Sequence, residues 1–350
     1  MLNVIDATWI RKWKIKDRGR VIKSRLCARG CFDRQKPELL RSSAVASRLS
    51  QKLLVSNAAN HGWEIESLDV STAFLRGLTF AEVDAISRDL GVPSPLTERR
   101  IHVQLPGNAW FWLYKKGHLN RQQWMLARQK KLVMCLDKCM YGLADAPLLW
   151  SLALKHWLVR HMGALQSSFD DCHFFWKDKR TNRLTGEATC HVDDNALSGS
   201  LHDLEQRRRQ LESRFGTMSR QTTPFIHVGV HYDKREGGGY HLHQDTYCQA
   251  MKVAEVPRGQ ANEVSLDAAG TSSLRAVLGA LLYLTITRHD ISTDVVLLAS
   301  KVTTATYGDL RAANAVVRGA QKNSKRGVHF PKLNGKLCIF CISDASFSTK

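Results

Sequence analysis

The sequence predicts an α+β fold, and three kinds of pattern predict it. Short runs alternate apolar and polar residues with the period of two that a half-buried strand requires, as in RVIKSRLCARG (20–30). Other runs, such as EQRRRQLESRF (205–215), read as basic helices. Tight-turn signals sit between strand-like pairs: Asp193, Asp194 and Asn195 in one place, Gly237 to Gly239 in another. At 350 residues with 43% hydrophobic and 24% charged content, the chain can bury a sizeable core divided over two or three domains or subdomains.

Taken in order, residues 20–30 form a strand whose alternation sets Lys23, Arg25 and Arg29 on one face and Ile22, Leu26 and Ala28 on the other. Residues 43–61 have the Ala and Leu content of a helix. Trp63 to Val70 read as a strand that passes through Ser71 and Thr72, both good N-cap types, into a short helix. Residues 84–125, with Pro93, Pro95, Pro106 and the cluster AWFWLY, read as loops and short strands of an insertion. Residues 132–163 run from a strand through YGLADAP into a helix carrying Leu148, Leu149, Leu152, Leu154, Trp157 and Leu158. Phe174 to Trp176 and Ala188 to Val192 are strands, the second entering a hairpin with the acidic pair at its tip. A basic helix over 202–215, a hairpin over 225–243 and a buried helix pair over 274–300 follow. The last stretch, KLCIFCISDASFSTK, reads as the first strand of another domain.

Lys and Arg outnumber Asp and Glu by 51 to 32, spread along the chain, for a net charge of +19. Such an excess suits a polyanionic partner, because each cation set against a phosphate releases condensed counterion. The N-terminal residues carry charges where a signal peptide needs an apolar core, and the longest apolar run, Ala276 to Ile286, is too short to span a bilayer; no membrane partner is expected. The nine cysteines include three close pairs, Cys27 with Cys31, Cys135 with Cys139 and Cys338 with Cys341. A structural zinc site needs four ligands, and residues i and i+3 of a strand such as LCIFCIS point to opposite faces, so they read as reduced cysteines.

Asp69 at the end of a strand and the Asp193–Asp194 pair at a hairpin tip are the acidic groups with suggestive settings. Two Mg²⁺ ions held by such carboxylates clamp the attacking and leaving oxygens of phosphoryl or nucleotidyl transfer. An acidic pair in a turn is also an ordinary solvated loop, and spacing does not separate the two.

Several collinear segments do. ESLDVSTAFLRG (66–77), KCMYGLADAPLLW (138–150), CHVDDNALSGS (190–200) and LGALLYLTITRHDI (278–291) resemble successive blocks of the reverse transcriptase of copia-type LTR retrotransposons. RVIKSRLCARGCF (20–32) is similar to the basic block before them, and the segment from Phe225 to Met251 to the hairpin after them. The resemblance implies a right-hand polymerase fold: fingers and an antiparallel palm over 1–200, the end of the palm, primer-grip hairpin and start of the thumb over 201–265, a helical thumb or connection over 266–335, and a truncated start of an RNase H-like domain over 336–350. It implies an RNA-directed DNA polymerase with Asp69, Asp193 and Asp194 catalytic, these three and the Val70 carbonyl holding two Mg²⁺ (or Mn²⁺) ions, and RNA template, DNA or tRNA primer and dNTPs as partners. Lys23, Arg25 and Arg29 would reach the triphosphate or template; Phe74 would crowd the sugar 2′ carbon; Tyr141, Gly142 and Pro147 would lie against nucleotide and template. The chain would belong to a longer Pol polyprotein with integrase and RNase H, in the cytoplasm within virus-like particles.

The chain departs from that pattern at His191, where a tyrosine near the primer end is usual, at Asp145 in place of Gln, which would add negative charge near the template, and at Leu148 in place of a cation. Asp344 resembles the first acidic residue of RNase H, whose further carboxylates would lie beyond Lys350. These departures leave a second reading, a decayed or truncated nucleic-acid-binding remnant; a third, an unrelated two-metal nuclease, needs the same carboxylates but neither Phe74 nor the Gly142 block.

Overall fold

The structure, a computed structural model, describes residues 2–16, 19–95 and 98–333. The chain starts with strands β1 (Val4–Lys16) and β2 (Gly19–Ala28), then α1 (Arg48–His61), β3 (Glu64–Val70), α2 (Ala73–Arg76) and α3 (Val83–Leu90). Next come β4 (Ile101–Gln104), α4 (Gly107–Lys115), α5 (Arg121–Arg128), β5 (Met134–Leu136), α6 (Ala146–His156), β6 (Leu165–Gln166) and β7 (His173–Lys177). The hairpin strands β8 (Leu184–His191) and β9 (Asp194–Gly199) lead to α7 (Leu201–Phe215) and β10 (Met218–Thr222). The remainder is β11 (Phe225–His227), β12 (Val230–Lys234), β13 (Tyr240–His243), α8 (Asp245–Ala250), α9 (Ala268–Leu284), α10 (Ser292–Ser300), α11 (Tyr307–Lys322) and β14 (Gly327–Phe330). The fold is therefore α+β, with three sheets among the described residues.

The chain divides into two compact units. The first takes residues up to Ser50, Ser67–Leu197 and His202–Arg220. It contains a six-stranded sheet in the order β10-β3-β9-β8-β7-β6 and a four-stranded sheet in the order β2-β1-β4-β5. Its core gathers Leu68 and Val70 of β3, Leu149 and Trp150 of α6, Phe174 of β7 and Phe215 of α7. The ring of Phe215 meets Trp150 edge-on at 5.0 Å, a geometry that adds to the burial of two large apolar faces.

The second unit takes Gln51–Glu66, Ser198–Leu201 and the chain from Gln221 onward. Its sheet runs β11-β12-β13-β14, and α9, α10 and α11 close a separate core around Leu274, Leu281, Leu310 and Val317. Thr306 and Asp309 form a reciprocal capping box at the start of α11, which satisfies two of the orphan N–H groups of that helix end.

Four expectations are corrected. Residues 84–125 are not loops of an insertion: they hold nearly all of α3, all of α4 and most of α5, and β4 among them pairs with both β1 and β5, so the segment supplies an inner strand of the four-stranded sheet. The helix expected from residue 43 starts at Arg48, because Ala46 N–H is drawn to Cys190 O (2.9 Å) and Ser47 N–H to Asp170 (2.7 Å), while Ser47 Oγ accepts from Ser50 N–H (3.1 Å) as an N-cap. Thr72 does not cap α2; it sits at φ 59° and its hydroxyl donates to Ser71 O. Arg29 falls beyond the end of β2 and leaves the face of Lys23 and Arg25. The expected RNase H-like start, with Asp344, Cys338 and Cys341, lies outside the described residues.

Candidate active site

The C-terminal end of β3 and the β8–β9 turn meet through backbone: Val70 N–H donates to Asp193 O at 3.3 Å. Along β3 the neighbours Leu68 and Val70 are buried while Asp69 between them is exposed, so the strand anchors in the core and offers a carboxylate outward. Ser219 Oγ donates to Asp69 Oδ2 at 3.3 Å.

The β8–β9 connection is a two-residue turn, Val192 and Asp193. Its left-handed residue is Val192, at φ 58°, and not an aspartate or asparagine as the turn chemistry of the sequence suggests. A β-branched side chain there is strained, at a cost on the order of 1–3 kcal/mol that the surroundings must offset. Trp150 Nε1–H, from the buried helix α6, donates to Val192 O at 2.6 Å, and Asn195 Nδ2–H donates to Asp193 O at 3.1 Å. These bonds hold the turn with Asp193 beside Asp69.

Asp194 opens β9 and is half-buried. Burial, followed by the like charges of Asp193 and Asp69, pushes its carboxyl above the usual carboxylate range. Among the described residues none of the three aspartates forms an ion pair, and their carboxylates do not all lie within 4.8 Å of one another. The cluster is thus a negative patch without a direct ion pair, its side chains splayed and the charges of Lys23 and Lys14 close enough to act on it.

Beside it opens a cavity of about 770 Å³ whose wall includes Asp69, Val70, Asp193, Lys23, Arg25 and Tyr141. Burial, then repulsion from Arg25 and Lys14, lowers the Lys23 ammonium against the pull of Asp69 and Asp193. The Arg25 guanidinium lies 4.9 Å over the Tyr141 ring, which meets Phe74 at 5.2 Å. Tyr141 is held by its backbone: Ala28 N–H donates to Tyr141 O at 2.7 Å. At that seam Gly142 adopts φ 93° and a Cβ on it would come within 2.0 Å of Ala28 O; a Cβ on Gly30 would come within 2.2 Å of Gly142 O. Only glycine fits either place.

Of the residues singled out from sequence, Lys23, Arg25, Asp69, Val70, Tyr141 and Asp193 share the cavity wall, and Phe74, Gly142 and Asp194 back it. Arg29, Pro147 and His191 do not join them. Arg29 covers the Phe32 ring at 4.6 Å and borders a different cavity with Trp110 and Trp124. Pro147 lies in the first turn of α6, its carbonyl accepting from Ser43 Oγ at 3.4 Å. His191 ends β8 half-buried, its Nδ1 without a hydrogen-bond partner; burial, then the charge of Arg48, pushes its ring below the usual histidine value.

The sequence reading of Asp145 is also corrected. Its side chain is fully buried and accepts from Arg99 Nε at 2.8 Å, and Arg99 binds Asp33 at 2.6 Å on its other edge. The negative charge is spent on a buried Asp–Arg–Asp network and is not presented to a ligand. Four contributors went unseen in the sequence: Trp112 and His118 on the cavity wall, Trp150 behind the turn and Ser219 on Asp69. The aromatic and basic run WFWLYKK was the available signal for the first; nothing local marked the others.

Cations and carboxylates thus share one cavity wall, Lys23 and Arg25 with Asp69 and Asp193, and over nearly its whole length the chain is similar to retrovirus-related Pol polyproteins. The relatives are those of transposons RE1 and RE2 of Arabidopsis thaliana, each 24% identical over 370 aligned residues that cover 99% of this chain and 22% of the relative. The chain therefore spans about a fifth of the length of the curated relatives it matches. These matches agree with the resemblance to copia-type Pol drawn from the sequence blocks. No family model matches the chain. Among the described residues no helix is long and apolar enough to cross a membrane.

Proposed function

We propose that this chain is the reverse transcriptase portion of a copia-type retrotransposon Pol polyprotein, an RNA-directed DNA polymerase that extends a DNA or tRNA primer on an RNA template with dNTPs. The observation that carries the reading is the backbone contact between Val70 and Asp193, which sets Asp69 beside the Asp193–Asp194 turn at the rim of a cavity lined by Lys23 and Arg25. In this reading the β3–β8–β9 sheet is the palm, the β1–β2 ribbon the fingers, and α9, α10 and α11 the thumb or connection of a right-hand fold, ahead of an RNase H-like domain.

The residues fit two Mg²⁺ ions, with Mn²⁺ as a substitute, because the patch carries three carboxylates without ion-paired cations among the described residues, and burial, then the charges of Asp193 and Asp69, push the Asp194 carboxyl up. Asp69, Asp193 and Asp194, with the Val70 carbonyl, would hold them after rotation of the splayed side chains. When bound, Mg²⁺ lowers the pKa of the primer hydroxyl and braces the departing pyrophosphate. The chain does the rest: Lys23 and Arg25 neutralise triphosphate oxygens, Tyr141 and Phe74 present an aromatic floor to the sugar, and the hydrogen-bonded turn fixes where the carboxylates stand. Primer extension on an RNA template tests this, with Asp193→Asn as the control; equal extension by both proteins would overturn the assignment.

The splayed carboxylates and His191, outside the cavity wall, favour a second reading: a remnant that binds nucleic acid without polymerising. Mg²⁺-dependent dNTP binding separates the two, since a remnant binds nucleic acid without it.

A further inference from the structure

On one face of the second unit's sheet, pairing of β12 with β13 and of β13 with β14 sets His231 opposite His243, Asp233 opposite His241, and His241 opposite His329. The opposite face of the same strands carries Tyr232, Tyr240 and Leu242, all buried, so the alternation sorts apolar residues inward and leaves four imidazoles and one carboxylate together. His241 and His329 stack at 4.2 Å, His231 and His243 at 4.6 Å. His243 Nε2 lies 2.9 Å from Asp233 Oδ2, and one ligand atom each from Asp233, His241 and His243 falls within 4.8 Å of the others.

We propose that Asp233, His241 and His243 form a binding site for a divalent transition-metal ion of the zinc class, separate from the carboxylates of the polymerase reading. Two imidazoles two residues apart on one strand, with a carboxylate on the neighbour, give three convergent ligands and leave a position for water. An independent observation points the same way: Nε2 of His241 is buried and has no hydrogen-bond partner, a cost that a metal bond would remove. His329 is engaged elsewhere, its Nδ1 2.6 Å from Arg235, and His231 Nε2 meets Thr246 Oγ1 at 2.9 Å; they support the ligands from outside the set.

Asp245 N–H donates to His243 Nδ1 at 3.3 Å, which places the ring proton on Nε2, facing Asp233, in the metal-free chain. As the ion takes its place the proton moves to Nδ1 at the expense of that long contact. The affinity is therefore that of an open three-ligand site, below that of a closed structural zinc site.

The experiment is calorimetric titration of the whole chain with Zn²⁺, after blocking exposed thiols and in excess Mg²⁺, followed by the visible spectrum with Co²⁺. The expected result is one bound equivalent, a Co²⁺ spectrum of low coordination with imidazole, and an affinity weakened about tenfold or more in both Asp233→Asn and His241→Gln, since losing even an outer-shell partner costs about that much. Asp233→Asn can still hydrogen-bond to His243, which preserves the sheet if the histidine variant folds poorly. Equal Zn²⁺ affinity in wild type and both variants, absence of binding by the wild type, or a six-oxygen Co²⁺ spectrum would each overturn the site.

Discussion

Asp194 is held by the fold in the state that costs it most. A carboxyl raised by burial and by two like charges contributes stability that is present below its unfolded value, about 3.9, and is lost as pH rises through the raised folded value. At neutral pH without divalent cations the wild type thus carries a strained charge. Asp194→Asn is expected to raise the thermal midpoint in EDTA while lowering primer extension at least about 100-fold, beyond what loss of an outer-shell metal contact costs. Differential scanning with and without Mg²⁺ checks it: the wild type gains from Mg²⁺ and the variant does not. Residue identity made much of this cluster readable. The acidic pair and the lone Asp69 announce themselves as residue types, whereas the strain falls on Val192, a residue no turn rule selects.

At the scale of elements, the β8–β9 turn depends on α6. Replacing Trp150 by Phe keeps an aromatic ring against Phe215 but leaves Val192 O unpaired, at about 1–3 kcal/mol. Urea unfolding of Trp150→Phe should show that loss, and kcat for extension should fall while the dNTP KM moves less, because the turn and not the basic wall is loosened. The link from β2 and α6 to the segment before β4 runs through Arg99. Burial opposes ionisation of Asp33, but the Arg99 guanidinium and the Asn3 amide outweigh it and hold that carboxyl below its usual range. Its stabilising share is present above the unfolded value, about 3.9, and lost as pH falls through the folded one. Arg99→Met leaves two buried carboxylates facing each other without a cation, at about 3–5 kcal/mol at neutral pH. Its urea midpoint should rise on moderate acidification, opposite to the wild type.

The same scale explains where sequence reading ran out. Prolines and glycines in 84–125 look like loop punctuation, yet Gly91 at φ 67° caps α3 and Pro106 is the residue before α4, so they bound helices. The local helical spacing of Ala109, Trp110 and Leu113 was hidden by a run of neighbouring aromatics. Asp145 and Arg99 lie 46 residues apart, and no local pattern pairs them. By contrast β3, α6, β8 and α7 were legible because period and turn chemistry agree with their tertiary surroundings.

For the molecule as a whole, the charge of +19 bears on association more than on folding. If the proposed partners are template and primer, affinity for an RNA–DNA duplex should fall about 10³ to 10⁵-fold between 50 and 200 mM salt, as it does for proteins that make 6–10 phosphate contacts. Fluorescence anisotropy of a labelled duplex measures the slope. An affinity unmoved by salt would remove phosphate contact as the basis of binding.

The seam where Gly30 and Gly142 face Ala28 and each other has a consequence for how this sequence tolerates change. Every coding substitution of a glycine adds at least a Cβ, and at these two places the added atom lands on a carbonyl oxygen of the opposing segment, not on a side chain that can swing away. Neither position can be rescued by a single compensating swap, since the obstruction is main chain. A lineage copied with frequent errors would therefore meet a dead end at this junction from nearly any missense event, and the floor under Tyr141 and Arg25 is a fragile part of the inheritance although no charged or reactive group lies in it.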